Sequence, residues 1–395
     1  MRILILVDDY LPSTKSGAKM IHDLAAHMTE SGHGVTVVTP SDTVPCPAIS
    51  IEAGIRIVRI KAGNLKNVPR PLRGWRESRL SATIWSSARS FFSSNLFDLI
   101  IFYSPTIFWG SLVCKLKSLW KCPAYLVLRD IFPKWAVEAG VLRPNGLLHR
   151  YFRRKELLQY SAADWIGVEA TGNLKYFKDE LGDRYPVEVL FSWMELAPPQ
   201  PTFSYRQKLG LTGKVVFFYG GNIGVAQAMD NIVRLAATLE DQGDIFFLLV
   251  GEGSEVPRLK TEIGNQRLKN IKILPALPQP EYLRMLSEFD VGLVSLDRRL
   301  TSHNLPGKIF GYMNNGLPIL ASVNPGNDLA KLLHEFDAGI ACENGDDQCL
   351  RNAALRLSAD GELRRRMGKN SRELLKSKFS VAAASNQILS HVARM

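Results

Sequence analysis

Val215-Val216-Phe217-Phe218-Tyr219-Gly220-Gly221-Asn222-Ile223-Gly224 sets the architecture of the chain. Five apolar residues without alternation read as a strand buried on both faces, which points to a parallel sheet covered by helices. A glycine turn and a helical pattern follow, so the repeating unit is strand, turn, helix. The unit recurs on either side of this stretch. Later residues 246–250, 271–274, 291–296, 318–321 and 339–342 read as strands; so do the earlier 3–7, 35–39, 55–60, 99–103, 124–128, 165–169 and 187–190. Between the two series, Pro198-Pro199-Gln200-Pro201 can continue neither helix nor strand. The expected fold is α/β, with Rossmann-like domains over 1–198 and 199–375 that face each other across a cleft. Residues 376–395 are expected to form a helix that returns to the first domain.

With 395 residues, 46% hydrophobic and 22% charged, the composition is that of a globular chain and excludes a disordered or coiled-coil one. Five cysteines lie far apart without a C-x-x-C pair, which argues against a cysteine zinc site and a disulfide framework and predicts a reducing compartment. The first apolar run meets Asp8 and Asp9 too soon to be a signal-peptide core. The apolar stretch 99–113 is broken by Ser104, Pro105 and Thr106 and is too short to span a bilayer. A soluble, cytoplasmic protein is expected. The net charge of +11 is concentrated: residues 56–155 hold 19 Lys and Arg against only Glu77, Asp98, Asp130 and Glu138. Such a region either meets a negatively charged partner (nucleic acid, anionic lipid or a phosphorylated ligand) or is a solvated surface.

Three glycine turns follow strands: Lys15-Ser16-Gly17-Ala18, Gly220-Gly221-Asn222-Ile223-Gly224 and Gly251-Glu252-Gly253. None spells G-x-G-x-x-G or the Walker sequence, so neither a dinucleotide fingerprint nor a P-loop is present. Each serves either phosphate contact or the steric needs of a strand-to-helix turn. Two such turns in the second half favour a nucleotide cleft there. In Pro306-Gly307-Lys308 a lysine opens a helix that ends at Gly316-Leu317-Pro318. A lysine in a first turn opposes the helix dipole. It is either solvated or the counter-charge of a bound anion.

Together these motifs resemble the family 4 retaining glycosyltransferases of the GT-B fold, and in particular the bacterial branch that builds O-antigen and capsule polysaccharides. The resemblance runs over essentially the whole chain. It rests on Asp8-Asp9-Tyr10-Leu11-Pro12, Gly17-Ala18, Gly32-His33-Gly34, Leu128-Arg129-Asp130-Ile131-Phe132-Pro133, Gly220-Gly221-Asn222-Ile223-Gly224-Val225-Ala226-Gln227, Gly251-Glu252-Gly253 and Pro306-Gly307-Lys308. It implies a metal-independent transferase without cofactor that takes a UDP-sugar in the second domain and an acceptor on the first. The sugar implied is an N-acetylated hexose or uronic acid derivative. The acceptor implied is a polyprenyl-diphosphate-linked saccharide of lipopolysaccharide, O-antigen or capsule synthesis. Donor contacts are then expected from Gly17, Gly221, Asn222, Gly224, Gln227, Gly251, Gly253, Leu277, Pro278, His303, Leu305 and Lys308, with Lys308 the main cation on the diphosphate. The family usually has two glutamates eight positions apart before Gly316; here His303 and Gly311 occupy them.

Arg129 and Asp130 follow a buried strand at the acceptor level, where they either act on the acceptor or only fix a loop. With Lys308 they are the expected catalytic residues. A lipid-linked acceptor places the chain at the cytoplasmic face of the inner membrane. Arg70, Arg73, Trp75, Arg76, Arg79, Arg150, Arg153 and Arg154, basic and interleaved with aromatics, are the expected membrane-facing set. The same pattern suits RNA, but no RNA-recognition signature accompanies it, so no nucleic acid is expected. A nucleotide-sugar epimerase and a non-catalytic donor- or membrane-binding paralogue are the alternative readings.

Overall fold

The computed structural model describes residues 1–42, 47–63, 70–197, 205–300 and 305–392, with side chains from residue 74 onward in the helix Arg70–Ser94. Two compact units divide the chain. The first is residues 1–195 with 381–395, and the second is 196–380. These changeovers compare with the expected 198, set by the prolines, and 375.

The first unit is built on an eight-stranded sheet. Its strands are β1 (Arg2–Leu6), β2 (Gly34–Ser41), β3 (Ala48–Glu52), β4 (Ile55–Lys61), β5 (Leu99–Tyr103), β6 (Ala124–Leu128), β7 (Trp165–Val168) and β8 (Val187–Val189). They lie in the order β3-β4-β2-β1-β5-β6-β7-β8. Alternate residues of each strand feed opposite faces. Ile3, Ile5, Val37 and Ile101 pack under Ile21, Leu24 and Met28 of the helix Ser16–Glu30. Leu4, Leu6, Val38 and Phe102 pack under Leu112, Val113 and Leu116 of the helix Gly110–Trp120. All strand pairs are parallel except β3 with β4, which is antiparallel. That edge strand departs from the purely parallel sheet expected. Ile49 and Ile51 are 54% and 73% exposed, so β3 has no buried run by which it could be read.

The helix Val381–Val392 belongs to this unit. Its Val381, Ala384 and Ile388 join the core, Gln387 Nε2 donates to Val189 O at 2.8 Å, and His391 Nε2 meets Glu188 Oε1 at 2.9 Å. Tyr125 donates to the same carboxylate oxygen at 2.6 Å, and Trp165 stacks on the His391 ring at 4.7 Å.

The second unit has six parallel strands: β9 (Val215–Gly220), β10 (Ile245–Val250), β11 (Ile271–Leu274), β12 (Val291–Ser295), β13 (Ile319–Val323) and β14 (Gly339–Glu343). Their order is β11-β10-β9-β12-β13-β14. β9 therefore lies where the strand order reverses, the position at which open α/β sheets leave a crevice beyond the strand ends. Cys342, at the end of β14, is bonded to Cys349 in the first turn of the helix Asp347–Ala359. The reduced cysteines expected are thus corrected for this pair. Asp346 caps the helix by accepting from Cys349 N at 2.9 Å, and the short turn brings the two Cα atoms to 5.9 Å. Cys114 and Cys122 are free thiols; Cys46 lies outside the described residues.

Candidate functional site

Beyond β9 and β10 the two following turns run side by side and are tied by their backbones. Gly221 N donates to Val250 O at 2.9 Å, Ile223 N to Glu252 O at 2.8 Å, and Glu255 N to Ile223 O at 3.1 Å. A Cβ on Gly251 would lie 1.8 Å from the Gly221 oxygen, and one on Gly253 would lie 2.2 Å from the Ile223 oxygen. Both glycines thus make room for the neighbouring turn, so their steric role is explained without a ligand. The 221–224 turn is what they position. Within it Gln227 Oε1 accepts from Asn222 Nδ2 at 2.8 Å and from Gly224 N at 3.1 Å. The Tyr219 hydroxyl donates to Asn222 O at 2.5 Å, and the Tyr312 hydroxyl accepts from Gly220 N at 3.1 Å. Asn222 and Gln227 brace one another, and among the described residues the Gln227 amide nitrogen donates to no protein atom.

Lys308 stands beside this turn. Its Nζ lies 3.6 Å from the centroid of the Tyr219 ring, and the Cβ position of Gly221 is 3.9 Å from it. Among the described residues no carboxylate pairs with it. Burial pushes the ammonium down from its ordinary value of 10.5 to about 7. A desolvated cation held only by an aromatic face is short of the stabilisation that an ion pair would supply. An anion arriving at the 221–224 turn would supply it. Tyr219, read in the sequence only as a strand end, is the platform for this cation; its place directly before the glycines was the available signal.

Pro278 is exposed and precedes the helix Gln279–Leu286, whose Tyr282 ring fills the space beside Gly220; Leu277 is half-buried at the same turn. Leu305 is half-buried three residues before Lys308. His303 lies outside the described residues. A Cβ on Gly311 would meet Leu286 Cδ2 at 3.2 Å, so any side chain at this half-buried position needs Leu286 to give by a few tenths of an ångström.

In the first unit, a Cβ on Gly17 would come within 2.7 Å of the Tyr103 hydroxyl, which accounts for this glycine sterically. Of the two readings of Arg129, acting on the acceptor or fixing a loop, its contacts match the second. Its Nη1 donates to Leu190 O at 2.6 Å, its Nη2 to Phe191 O at 3.3 Å, and its guanidinium lies 5.0 Å over the Trp193 ring. The side chain ties the end of β6 to the segment after β8 and is a positioning residue. Asp130 is solvent-accessible and lines a cavity of about 160 Å³ with Phe108, Phe132, Trp135 and Phe152. Desolvation and the nearby Glu169 carboxylate hold its carboxyl above the usual range.

Among the expected membrane-facing residues, Trp75 is 59% exposed with the Arg79 guanidinium 5.3 Å over its ring. Arg150 and Arg154 are exposed, and Arg76 is half-buried against Gly63. The side chains of Arg70 and Arg73 lie outside the described residues. Arg153 is a correction: it turns inward, with Nη1 at 2.7 Å from Glu156 Oε2 and 3.1 Å from the Tyr176 hydroxyl. Glu156 is fully buried, and helical periodicity carries Arg153 to that face while Arg150 and Arg154 stay outside.

Residues 202–374 match the family described as glycosyl transferases group 1, and residues 17–166 match the glycosyl transferase 4-like domain. Both models describe glycosyltransferase domains, and each covers less than half of the chain. Among curated relatives, the "Probable glycosyltransferase WbjE" of Pseudomonas aeruginosa is 26% identical over 57% of both chains. WcaI of Escherichia coli K12, named for colanic acid biosynthesis, is 26% identical over 38% of both. The chain thus matches about half the length of these relatives or less. The structure of Anabaena HepE in complex with UDP superposes with a TM-score of 0.68 at 15% identity, covering 100% of both chains. The fold is accordingly the two-domain α/β fold of GT-B glycosyltransferases.

Proposed function

We propose that this chain transfers a sugar from a UDP-sugar to a lipid-linked saccharide in the synthesis of a bacterial surface polysaccharide such as lipopolysaccharide O-antigen or capsule. The observation that carries the reading is the half-buried Lys308, which has no carboxylate partner among the described residues and lies against Tyr219 beside the braced 221–224 turn. When a nucleotide sugar reacts, charge develops on the departing diphosphate, and a preorganised cation in a water-poor site stabilises that charge strongly. Lys308 and the backbone of the 221–224 turn would hold the diphosphate, with the Gln227 amide in reach. The leaving phosphate oxygen takes the proton of the acceptor hydroxyl in the retaining, metal-independent mechanism proposed here, so no enzyme nucleophile is required. WbjE and WcaI, named as a glycosyltransferase and for colanic acid, support the polysaccharide setting, and HepE, solved with UDP, supports the choice of nucleotide.

A melting-temperature screen of UDP, GDP, TDP, ADP and CMP, each with and without Mg²⁺, tests the donor. UDP at a hundred times its Kd stabilises the fold by about 2.7 kcal/mol. The expected result is a UDP response that Mg²⁺ does not change; no response to any nucleotide would sink the reading.

The acceptor's lipid places the chain on the cytoplasmic membrane surface in this proposal. No helix among the described residues is long and apolar enough to cross a membrane. The helix Leu147–Ala162 instead presents Leu147 and Leu148, 85% and 63% exposed, beside exposed Arg150 and Arg154. Each base near anionic lipid contributes about 1 kcal/mol. Replacing Leu147, Leu148, Arg150 and Arg154 with Ser is expected to weaken binding to phosphatidylglycerol vesicles more than tenfold and to leave the UDP response in place. Equal vesicle partitioning by variant and parent would remove the membrane face from the proposal.

A further inference from the structure

The cavity behind Asp130 lies wholly in the first unit and is distinct from the Lys308 site in the second. Its volume of about 160 Å³ falls well below the roughly 300 Å³ at which drug-sized pockets begin, which leaves room for one ring. The wall is aromatic and rigid: Phe132 and Phe152 meet edge to face at 5.0 Å, Trp135 lies 5.8 Å from Phe132, and Phe108 lies 6.4 Å from Phe152. Trp135 is 49% exposed whereas Phe108 is 6% exposed, so the wall runs from solvent to the core. Opposing chemistry comes from the Asp130 carboxylate, and no Lys or Arg lines the cavity among the described residues.

We infer that this cavity is a subsite for one pyranose ring of the acceptor, and that it selects a neutral or amino-bearing ring over a uronic or phosphorylated one. This rests on the transferase reading above. The apolar face of a pyranose packs on aromatic rings, while a ring hydroxyl donates to the Asp130 carboxylate. An ammonium substituent gains from both that carboxylate and the ring faces. A carboxylate or phosphate on the ring would instead meet like charge in a partly desolvated site, and that opposition is the source of selectivity. The position suits a lipid-linked substrate. Tyr151, 40% exposed, stands 5.4 Å from Phe152 on the helix that also exposes Leu147 and Leu148. A ring in the cavity would therefore have apolar surface close by for the start of its lipid. A simple hydrophobic hole would disfavour charged glucosamine as well as glucuronate, so binding of glucosamine with rejection of glucuronate distinguishes this site from one.

The test uses the full chain and saturation-transfer NMR with methyl α-glucoside, glucosamine and glucuronate as probes, with the UDP melting response measured on the same preparation. Methyl α-glucoside and glucosamine are expected to bind, and glucuronate at least fivefold more weakly. Trp135→Ala, at a half-exposed position, is expected to reduce both responses at least fivefold with the UDP response intact. Asp130→Asn is expected to remove the preference for glucosamine over glucuronate. Equal binding of glucuronate, no binding of any probe, or an unchanged response in Trp135→Ala overturns the subsite. Sugar binding without a UDP response overturns the transferase reading instead, and the two failures are therefore separable.

Discussion

Replacing Lys308 with Ala is expected to weaken UDP binding by roughly 10- to 150-fold, the equivalent of the about 1.5–3 kcal/mol carried by a hydrogen bond to a charged group. The proposed transfer is expected to lose at least as much in turnover, because the diphosphate would gain charge as the sugar departs. The accompanying pH dependence has a definite sign. Free, the ammonium is pushed down to about 7 by burial, against 10.5 in an unfolded chain. Between those values the unfolded state binds the additional proton, so the unliganded fold gains stability as pH rises from 7 towards 10.5. Diphosphate needs the charged form and reverses the preference. UDP affinity is therefore expected to fall by up to about tenfold per unit as pH rises above 7, until the bound-state value is reached. Titration calorimetry at pH 6, 7, 8 and 9 measures this. In Lys308→Ala the fall should vanish; a parent protein with a flat profile over that range would mean that Lys308 does not carry the phosphate.

Arg153→Ala is expected to destabilise the first unit by about 3–5 kcal/mol, because it leaves the fully buried Glu156 carboxylate without its cation. For a unit of this size that is a fall of roughly 6–20 °C in the melting transition. Arg154→Ala, one position away and exposed, is expected to stay within about 0.5 kcal/mol of the parent. Acid narrows the gap between the two variants. Burial already holds the Glu156 carboxyl above its ordinary value even with Arg153 present, and without the arginine the shift grows. A carboxyl raised on folding contributes its penalty at neutral pH and loses it as pH falls through the folded value. Calorimetric melting at pH 7 and pH 4.5 gives both numbers. Equal stability of the two variants would return Arg153 to the surface.

Much of this architecture was legible before any coordinates. Unbroken apolar runs such as 215–219 and 99–103 announce a parallel sheet because both of their faces must be covered, and the structure buries all of Leu99–Tyr103. β3 was not legible: its isoleucines face solvent, and its pairing is set by the tight turn into β4. Among site residues, the glycines after β9 and the lysine in a helix's first turn stood out in the sequence, their joint role on a diphosphate came from the family resemblance, and the structure brings them together. Gly251, Gly253 and Gly17 carry the same local pattern as a phosphate loop, but their role is fixed by a neighbouring turn or by a tyrosine far away in sequence. Arg129 and Arg153 show the same limit. A one-dimensional string records a basic residue and not whether carbonyls or a buried carboxylate already hold its donors.

The helix Val381–Val392 has a consequence for how the chain is made. The second unit is continuous in sequence, whereas the first has its final segment separated from the rest by that whole unit. On a ribosome, residues 196–380 can emerge and fold while the eight-stranded sheet still waits for its last helix. Until then Val189 O has no Gln387, Glu188 lacks His391, and the sheet face that will receive Ile388 is open to water. The nascent first unit thus passes through an incomplete stage lasting as long as translation of about 185 residues, on the order of 10–40 s at ordinary elongation rates. Chaperone binding to stalled chains should accordingly peak when they end before residue 381 and drop once the helix has cleared the exit tunnel.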